Sequence, residues 1–295
     1  MADATPRKRF EYLIEGAAAI TLFRVLGAMP LPWASALGGF VARTVGPRTG
    51  ATKRARTNLR RAMPELDDPQ VENIVRGMWD NLGRVVAEYP HLGKFEAYHP
   101  NGRIEVVGYS PKDHPPKPGQ TYLFWSAHYG NWEIATLGAT QAGLKMAAIY
   151  RAANNPIVDR LIRRARNVFG SELIPKGVTG RRAIAALHKG AHLCLLIDQK
   201  MNTGIPVPFF GRDAMTEKVL ARLALRYNCV VIPARVERMS GARFRVTCDP
   251  PMDVPRTGDD DADALSLMTQ INARLEEWIR QRPEQWFWLH RRWPD

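Results

Sequence analysis

The spacing of apolar residues changes along the chain. Over roughly the first hundred residues, apolar positions recur every three or four residues, as in helices that bury one face. The clearest example begins at Val71 and carries apolar side chains at Ile74, Val75, Met78, Leu82, Val85 and Val86. Asp67, Asp68 and Pro69 precede it, and these residue types are typical of a helix start. This first part of the chain is therefore predicted to be helical.

A different pattern follows the loop at residues 112–119, which is rich in proline and lysine. Short apolar runs predict buried strands at residues 121–127, 144–150, 192–198 and 229–236, and a further strand is expected at 244–247. Helical spacing predicts helices at residues 134–142, 156–169, 181–189, 217–227 and 264–281. Strands that alternate with helices indicate βαβ units. We therefore expect an α/β fold with a mostly parallel sheet flanked by helices.

The N-terminal segment mixes apolar residues with charges. Glu15 and Arg24 interrupt it, so it is a poor secretory signal and a poor membrane span, which needs about 20 nearly uncharged residues. A basic run follows at Arg43, Arg48, Lys53, Arg54, Arg56, Arg60 and Arg61. This combination favours a helix in the membrane interface near anionic head groups, although a helix packed on the domain has the same pattern. We expect residues 1–62 to form a membrane-associating helical segment and residues 63–295 an α/β domain.

The net charge of +13 favours anionic partners, namely nucleic acid, an anionic membrane surface or a phosphorylated substrate. Neither a phosphate-binding G-x-x-x-x-G-K-[ST] loop nor a dinucleotide fingerprint occurs, so nucleotide binding is disfavoured. The arginine-rich C-terminal segment RPEQWFWLHRRW contains three tryptophans. Such a mixture suits a nucleic-acid surface or a membrane interface, and it equally suits a terminus locked onto the domain by its tryptophans.

Cysteine and histidine positions argue against a metal site. Cys194, Cys229 and Cys248 lie far apart in apolar runs, which predicts buried free thiols rather than disulfides or a zinc site. His188 and His192 have the spacing of a helical metal site, but Gly190 lies between them and no carboxylate is adjacent. We expect no metal and no cofactor.

Polar side chains follow three of the predicted strands. His128 comes after the first, Arg151 after the second, and Asp198 with Gln199 after the third. In open α/β sheets, ligands bind beyond the carboxyl ends of the strands. These residues are therefore the first candidates for an active site.

His128 and Glu133 are the candidate catalytic pair. If a strand ends near residue 127 and a helix starts near residue 131, the chain turns back between them, and Glu133 could hold one ring nitrogen of His128. A neutral imidazole oriented in this way can take a proton from a hydroxyl group. The alternative is a surface histidine beside a glutamate that caps a helix. Ser126 lacks the G-x-S-x-G context of a nucleophile elbow, so it is rejected as a nucleophile.

The remaining candidates are residues suited to binding an anion. Asn131 is a good helix cap whose neighbouring N–H groups could receive one. Arg151 offers planar donors for phosphate or for an oxyanion, and Lys176 with Gly177 lies in a loop before a helix. The next helix contains Arg160, Arg163, Arg164 and Arg166, which fit a solvated basic face better than a site.

Six blocks in this order resemble the bacterial lipid A biosynthesis acyltransferases, the late lauroyl and myristoyl enzymes of the lysophospholipid acyltransferase superfamily. The blocks are HYGNWE at residues 128–133, YRAANNP at 150–156, IPKG at 174–177, LLIDQK at 195–200, VPFFGRDAMT at 207–216 and PEQWFWLHRRW at 283–293. The resemblance covers most of the chain. It departs from the expected pattern at Glu217 and Lys218, where a small or proline-containing segment is expected, so the choice of acyl chain or acceptor is in doubt.

The resemblance implies transfer of a fatty acyl chain from an acyl carrier protein thioester to a hydroxyl of a Kdo-bearing lipid A precursor. His128 would be the general base and Glu133 its orienting partner, without a covalent acyl-enzyme. Arg151 would hold phosphate or assist the oxyanion, and Asp198 matches an acidic position of unassigned role, which we place with Asn131, Lys176, Gly177 and Gln199 among the substrate-binding candidates. The expected location is the cytoplasmic face of the inner membrane.

Two alternatives stay open. The same chemistry can act on a lysophospholipid, a glycolipid or an aminolipid, because the superfamily shares the H-x4-acid motif. A basic nucleic-acid-binding protein is the remote alternative, and it predicts a steep salt dependence of DNA or RNA affinity. The blocks favour the lipid A reading, so the expected partners are acyl carrier protein, a lipid A precursor and a membrane surface, and no nucleic acid.

Overall fold

A seven-stranded sheet forms the centre of the protein. The computed structural model describes residues 5–176 and 179–294. Within these residues the strand order is β1-β9-β8-β2-β5-β3-β4, and only the β8–β9 pair is antiparallel. The strands of this sheet are β1 (Ile104–Gly108), β2 (Tyr122–Ser126), β3 (Met146–Tyr150), β4 (Glu172–Pro175), β5 (His192–Leu196), β8 (Val230–Ser240) and β9 (Arg243–Cys248). The predicted α/β fold with a mostly parallel sheet is confirmed.

Helices cover both faces of this sheet. They are α1 (Pro6–Ala28), α2 (Leu31–Val45), α3 (Thr52–Ala62), α4 (Asp68–Glu88), α5 (Leu137–Gln141), α6 (Pro156–Arg166), α7 (Thr179–His188), α8 (Val219–Tyr227) and α9 (Asp260–Gln281). Alternate residues of β2 enter two separate cores: Leu123 and Trp125 pack with α4, α7, α8 and α9, whereas Tyr122 and Phe124 pack with α5 and α6. Because both faces are buried, the strand is apolar at nearly every position.

Four strands were missed in the sequence. β1 and β4 are the two edges of the sheet, and their side chains are partly exposed, so neither forms a continuous apolar run. β6 (Ile205–Phe209) and β7 (Arg212–Thr216) form a separate hairpin, and β6 contains Pro206 and Pro208. The helix predicted at 134–142 is shorter, because a 3₁₀ turn at Trp132–Ile134 precedes α5.

The N-terminal helices pack closely on the rest of the chain through glycines. Gly16 of α1 faces Ile157 of α6, and Gly38 of α2 faces Gly83 of α4, so an added methyl group would collide at each position. The outer sides of these helices expose large apolar residues, namely Phe10, Leu13, Ile14, Leu22 and Val25 on α1 and Trp33, Leu37, Phe40, Val41 and Val45 on α2. Among the described residues no helix has the length and apolar character needed to cross a membrane. The membrane-associating segment and the boundary at residue 62 stay predictions.

The three cysteines are buried and free, as expected. Burial raises the pKa of Cys194 to about 12, so this thiol stays protonated at neutral pH. Cys194 lies on β5, where its side chain lines the cavity described below.

Candidate active site

The pairing of β2 with β5 brings His128 and Asp198 together. Ser126 is paired with Leu196 at the carboxyl ends of these parallel strands, and the two side chains follow two residues later. Nδ1 of His128 lies 2.8 Å from Oδ1 of Asp198. The backbone N–H of His128 donates to Oδ2 of the same carboxylate at 2.9 Å. One carboxylate thus fixes both the ring and the main chain of the histidine.

This contact defines the proton positions on His128. An ionised carboxylate only accepts hydrogen bonds, so in a neutral imidazole Nδ1 carries the hydrogen and Nε2 has the lone pair. The side-chain amide nitrogen of Gln199 is 3.4 Å from Nε2. Since His128 also lines a large cavity, Nε2 is available to a group bound there.

Asp198 is completely buried and is held from a second side by the C-terminal segment. Nε1 of Trp286 donates to its Oδ2 at 2.8 Å, and Nε2 of His290 is 3.5 Å from the same oxygen. Burial alone would raise the pKa of Asp198, but His128 and then His290 outweigh it and hold that pKa well below its usual range. The carboxylate is therefore ionised at neutral pH.

His290 is the second histidine whose imidazole ring faces the Asp198 carboxylate. Its ring centre lies 4.9 Å from that of His128. Burial lowers the pKa of His290, against the opposing effect of Asp198, so the ring is neutral at neutral pH. His128, Asp198 and His290 also offer ligand atoms within 4.8 Å of one another, a set suited to a transition metal by residue type. Both carboxylate oxygens already accept N–H groups, so we assign this cluster to hydrogen bonding.

Glu133 does not make the predicted contact with His128. The 3₁₀ turn Trp132–Ile134 directs its carboxylate to α6, where Arg166 binds both oxygens, at 2.6 and 2.8 Å. Arg166 also donates to the hydroxyl of Tyr89 at 3.2 Å. Burial raises the pKa of Glu133, but Arg166 outweighs this effect and the net shift is downward. The carboxylate in contact with the His128 ring therefore belongs to Asp198 and not to Glu133.

Asn131 is also among the residues that were expected to bind substrate, but its side chain makes other contacts. Its side chain caps the 3₁₀ turn, as its residue type suggested, by accepting from the backbone N–H of Glu133 at 3.2 Å. Its amide donates to Glu88 at 2.8 Å, and Glu88 is ion-paired with the buried Arg238. Because Asn131 has no exposed surface and all its groups are occupied, it supports the loop rather than a ligand.

The cavity has a volume of about 660 Å³ and brings most of the other predicted residues together. His128, Glu133, Arg151, Lys176 and Gln199 line it, whereas Asp198 lies behind His128 and does not, so the substrate-binding role expected for Asp198 is corrected. Gly177 lies outside the described residues. Much of the remaining lining is apolar and includes Ala148, Ile149, Phe169, Leu173 and Leu195.

The two cations at this cavity come from neighbouring strands. Tyr150 of β3 pairs with Pro175 of β4, so Arg151 and Lys176, the next residues, leave the sheet side by side. In residues 5–176 and 179–294 neither side chain forms an ion pair. The mouth of the cavity is therefore suited to an anion.

The sequence interpretation missed the residues that surround the central pair. Arg166 was assigned to a solvated face, but it is largely buried against Glu133 because α6 turns this one arginine inward. Trp286 and His290 lie in the C-terminal block, whose mixture of tryptophan and arginine gave no indication of a contact with Asp198. Helical spacing does not single out Arg166, because Arg160 and Arg164 also follow Ile157 at helical intervals.

Comparisons with known proteins identify the family of this chain. The family model for the bacterial lipid A biosynthesis acyltransferases matches residues 5–295. A lipid A biosynthesis acyltransferase of Haemophilus influenzae is 24% identical over 80% of this chain and 73% of its own length. The lipid A biosynthesis myristoyltransferase of Escherichia coli is 24% identical over 88% of this chain and 79% of its own, and the lauroyltransferase of that organism is 26% identical over 80% and 76%. A chain matched by this family model over residues 5–295 belongs to the bacterial lipid A biosynthesis acyltransferase family.

Proposed function

We propose that this acyltransferase moves a fatty acyl chain from an acyl carrier protein thioester to a hydroxyl of a Kdo-bearing lipid A precursor, as a late acylation. The observation that carries this proposal is the placement of His128. Its Nδ1 is held by a buried carboxylate, which leaves Nε2 at a cavity with apolar walls and unpaired cations. This is the arrangement needed to activate a hydroxyl beside a fatty chain and an anion.

In the proposed reaction, Nε2 of His128 takes the proton of the acceptor hydroxyl as the oxygen attacks the thioester carbonyl. Asp198 stabilises the imidazolium that forms, because its negative charge faces Nδ1–H at 2.8 Å. The tetrahedral intermediate collapses with cleavage of the C–S bond. The proton on Nε2 then passes to the leaving thiolate, so the products are an ester and a free thiol, and no enzyme nucleophile is required.

Arg151 and Lys176 are proposed to bind phosphate on the acceptor. Both lie at the cavity and neither is ion-paired within the described part of the chain, so their charges are free for a ligand. An arginine binds a phosphate through two parallel N–H donors, and the lysine adds a point charge. We place Gln199 at the reacting oxygen, because its amide is 3.4 Å from Nε2 of His128.

Glu133 is proposed to act through Arg166 rather than through His128. The ion pair fixes the 3₁₀ turn against α6, and that turn also contains Trp132, whose ring lies 5.1 Å from the His128 ring. The expected result is a fixed wall beside the base. Glu133 is thus a positioning residue in this proposal.

The proposed donor is consistent with the charge of the enzyme. Acyl carrier proteins are acidic, and a net charge of +13 attracts an acidic partner at long range. The apolar walls of the cavity are suited to the fatty chain of that donor.

The exposed apolar sides of α1 and α2 support association with the cytoplasmic face of the inner membrane. We expect Leu37→Glu to weaken binding to vesicles containing anionic phospholipid by about tenfold, since it places a charge in the proposed apolar contact. Leu265→Glu is the matched control, because Leu37 and Leu265 are 43% and 41% exposed, on α2 and α9 respectively. Vesicle co-sedimentation measures the effect. Equal binding of the two variants would contradict this membrane surface.

Trp286 and His290 are proposed to keep Asp198 in place. Removing a hydrogen bond to a charged group costs about 1.5–3 kcal/mol, so Trp286→Phe should lower kcat roughly tenfold to a hundredfold with little change in KM. His290→Gln should retain more activity than His290→Ala, because the glutamine amide can donate to the Asp198 carboxylate. Steady-state kinetics test this expectation. An unchanged kcat in Trp286→Phe would rule out the supporting role.

The function itself is tested by incubation of the enzyme with acyl carrier protein thioester and a Kdo-bearing precursor. A product heavier by one acyl chain is expected by mass spectrometry. Lysophospholipid, glycolipid and aminolipid acceptors are tested in parallel, and selective acylation of one of these would replace the proposed acceptor. Total lipids of a deletion strain provide the cellular comparison, since only the true product class should lose a chain.

A further inference from the structure

A second, smaller cavity lies beside the active site. This apolar cleft has a volume of about 270 Å³ and lies between α1, α4 and α6. Its walls include Phe23, Val85, Val86, Tyr89, Leu161 and Ile162. Trp132 completes the lining and also lines the catalytic cavity, so one indole borders both spaces.

The polar atoms of the two large aromatic residues are occupied elsewhere. The Tyr89 hydroxyl accepts from Arg166 at 3.2 Å, and the Trp132 side chain lies close enough to Glu133 to contribute to the lowered pKa of that carboxyl group. Burial raises the pKa of Tyr89 well above its usual value, so the hydroxyl stays neutral. The rest of the lining is aliphatic or phenyl. A cleft with these walls offers no partner to a polar ligand and favours hydrocarbon.

The position of the cleft relates it to the reaction. The Trp132 ring is 5.1 Å from the His128 ring, so the cleft begins one side chain away from the proposed base. On the opposite side, Phe23 belongs to α1, and Leu22 and Val25 of the same helix belong to its exposed apolar surface. The cleft therefore connects the apolar outer helices with the catalytic wall.

We propose that this cleft binds a hydrocarbon chain of the acceptor lipid while the acceptor hydroxyl lies at His128. The inference rests on the proposed function. The donor chain is assigned to the catalytic cavity, which has apolar walls and is also lined by His128, so the acceptor is the amphiphile left to fill a second apolar space. An acceptor taken from a bilayer also reaches the enzyme from the side of α1, and Phe23 of this helix forms one wall of the cleft.

Photo-crosslinking tests the occupant without any measurement of turnover. The probe is a dodecyl phosphate with a diazirine near the end of its chain, and unlabelled dodecyl phosphate is the competitor. Val86→Trp fills the cleft from a position that is 47% exposed, and Leu265→Trp is the control at a helical position that is 41% exposed. We expect competed label on the peptides of α4 and α6 in the wild type and in Leu265→Trp, and at least a fivefold loss in Val86→Trp. Label that persists in Val86→Trp, or that never reaches these peptides, overturns the proposal.

Kinetics then separate the cleft from the chemistry. Val86→Trp should raise KM for a long-chain acceptor about tenfold, while hydrolysis of the donor thioester by water stays within twofold of the wild type. A parallel fall in hydrolysis would show that the substitution damaged the catalytic cavity and would overturn the assignment. If the wild type acylates no lipid acceptor, the proposed function fails, and the crosslinking result still decides whether the cleft holds a hydrocarbon chain.

Discussion

Asp198→Asn is expected to lower kcat for acyl transfer by about 10²- to 10⁴-fold, the range ascribed to general acid–base catalysis. Two N–H donors, from His128 and Trp286, point at Oδ2 of Asp198. In Asp198→Asn the amide oxygen must take the position of Oδ2 to accept from these two donors. The NH₂ group of the asparagine then takes the position of Oδ1 and faces Nδ1 of His128. That nitrogen then becomes the acceptor, the ring hydrogen moves to Nε2, and the base can no longer accept the substrate proton. Steady-state kinetics with saturating donor and acceptor measure the loss.

The matched control for this variant is Asp263→Asn. Asp263 is a buried residue that does not line the cavity. Its carboxylate accepts hydrogen bonds from the backbone N–H and the hydroxyl of Thr257. We expect it to lower stability without a comparable loss of kcat. Near-normal turnover in Asp198→Asn would show that another group orients His128. His128→Ala should match the loss in Asp198→Asn or exceed it, because it removes the base itself.

The second large effect concerns stability. Glu133→Ala is expected to lower the free energy of unfolding by about 3–5 kcal/mol, since it leaves the Arg166 charge in the interior without its partner. A double variant, Glu133→Gln with Arg166→Gln, should recover part of this loss because neither charge remains. Urea denaturation followed by circular dichroism measures both. Glu72→Ala is the control, because its pair with Arg56 is partly exposed, with side chains 39% and 26% accessible, and should cost less than about 1 kcal/mol.

The pH dependence of this loss follows from the lowered pKa of Glu133. A carboxyl group whose pKa is lower in the folded state contributes its full stabilisation above its ordinary pKa, which is 4.5, and loses it as the pH falls through the folded value. The difference in stability between the wild type and Glu133→Gln should therefore be constant near neutral pH and should shrink in acid. A difference that grows as the pH falls would contradict the ion pair.

The sequence was informative where the chemistry follows directly from a strand. His128, Arg151 and Asp198 each come one or two residues after a buried apolar run, and parallel strands bring such positions to one edge of the sheet. The central strands were recognised because burial on both faces makes them continuously apolar. The edge strands and the hairpin have exposed or proline-containing positions, so no periodic signal marks them.

The choice between two carboxylates could not be made from spacing. Glu133 is five residues from His128 and looks like the natural partner, whereas Asp198 is 70 residues away. The deciding fact is the register of β2 with β5, in which Ser126 pairs with Leu196. Arg166, Trp286 and His290 depend in the same way on tertiary contacts, because each meets its partner only after separate segments have packed.

The hydrogen bonds of the C-terminal segment have a consequence for the maturation of the enzyme. The backbone N–H of Phe287 donates to the carbonyl of His128, and the carbonyl of Gln285 accepts from Gly130. Nε1 of Trp286 also donates to Asp198. All of these contacts are made by residues that leave the ribosome after every strand of the sheet. The helices with exposed apolar surfaces are synthesised first. Under the proposed function, a nascent chain would therefore reach the bilayer before the C-terminal contacts hold His128 in place, and it would become able to cleave a thioester only afterwards.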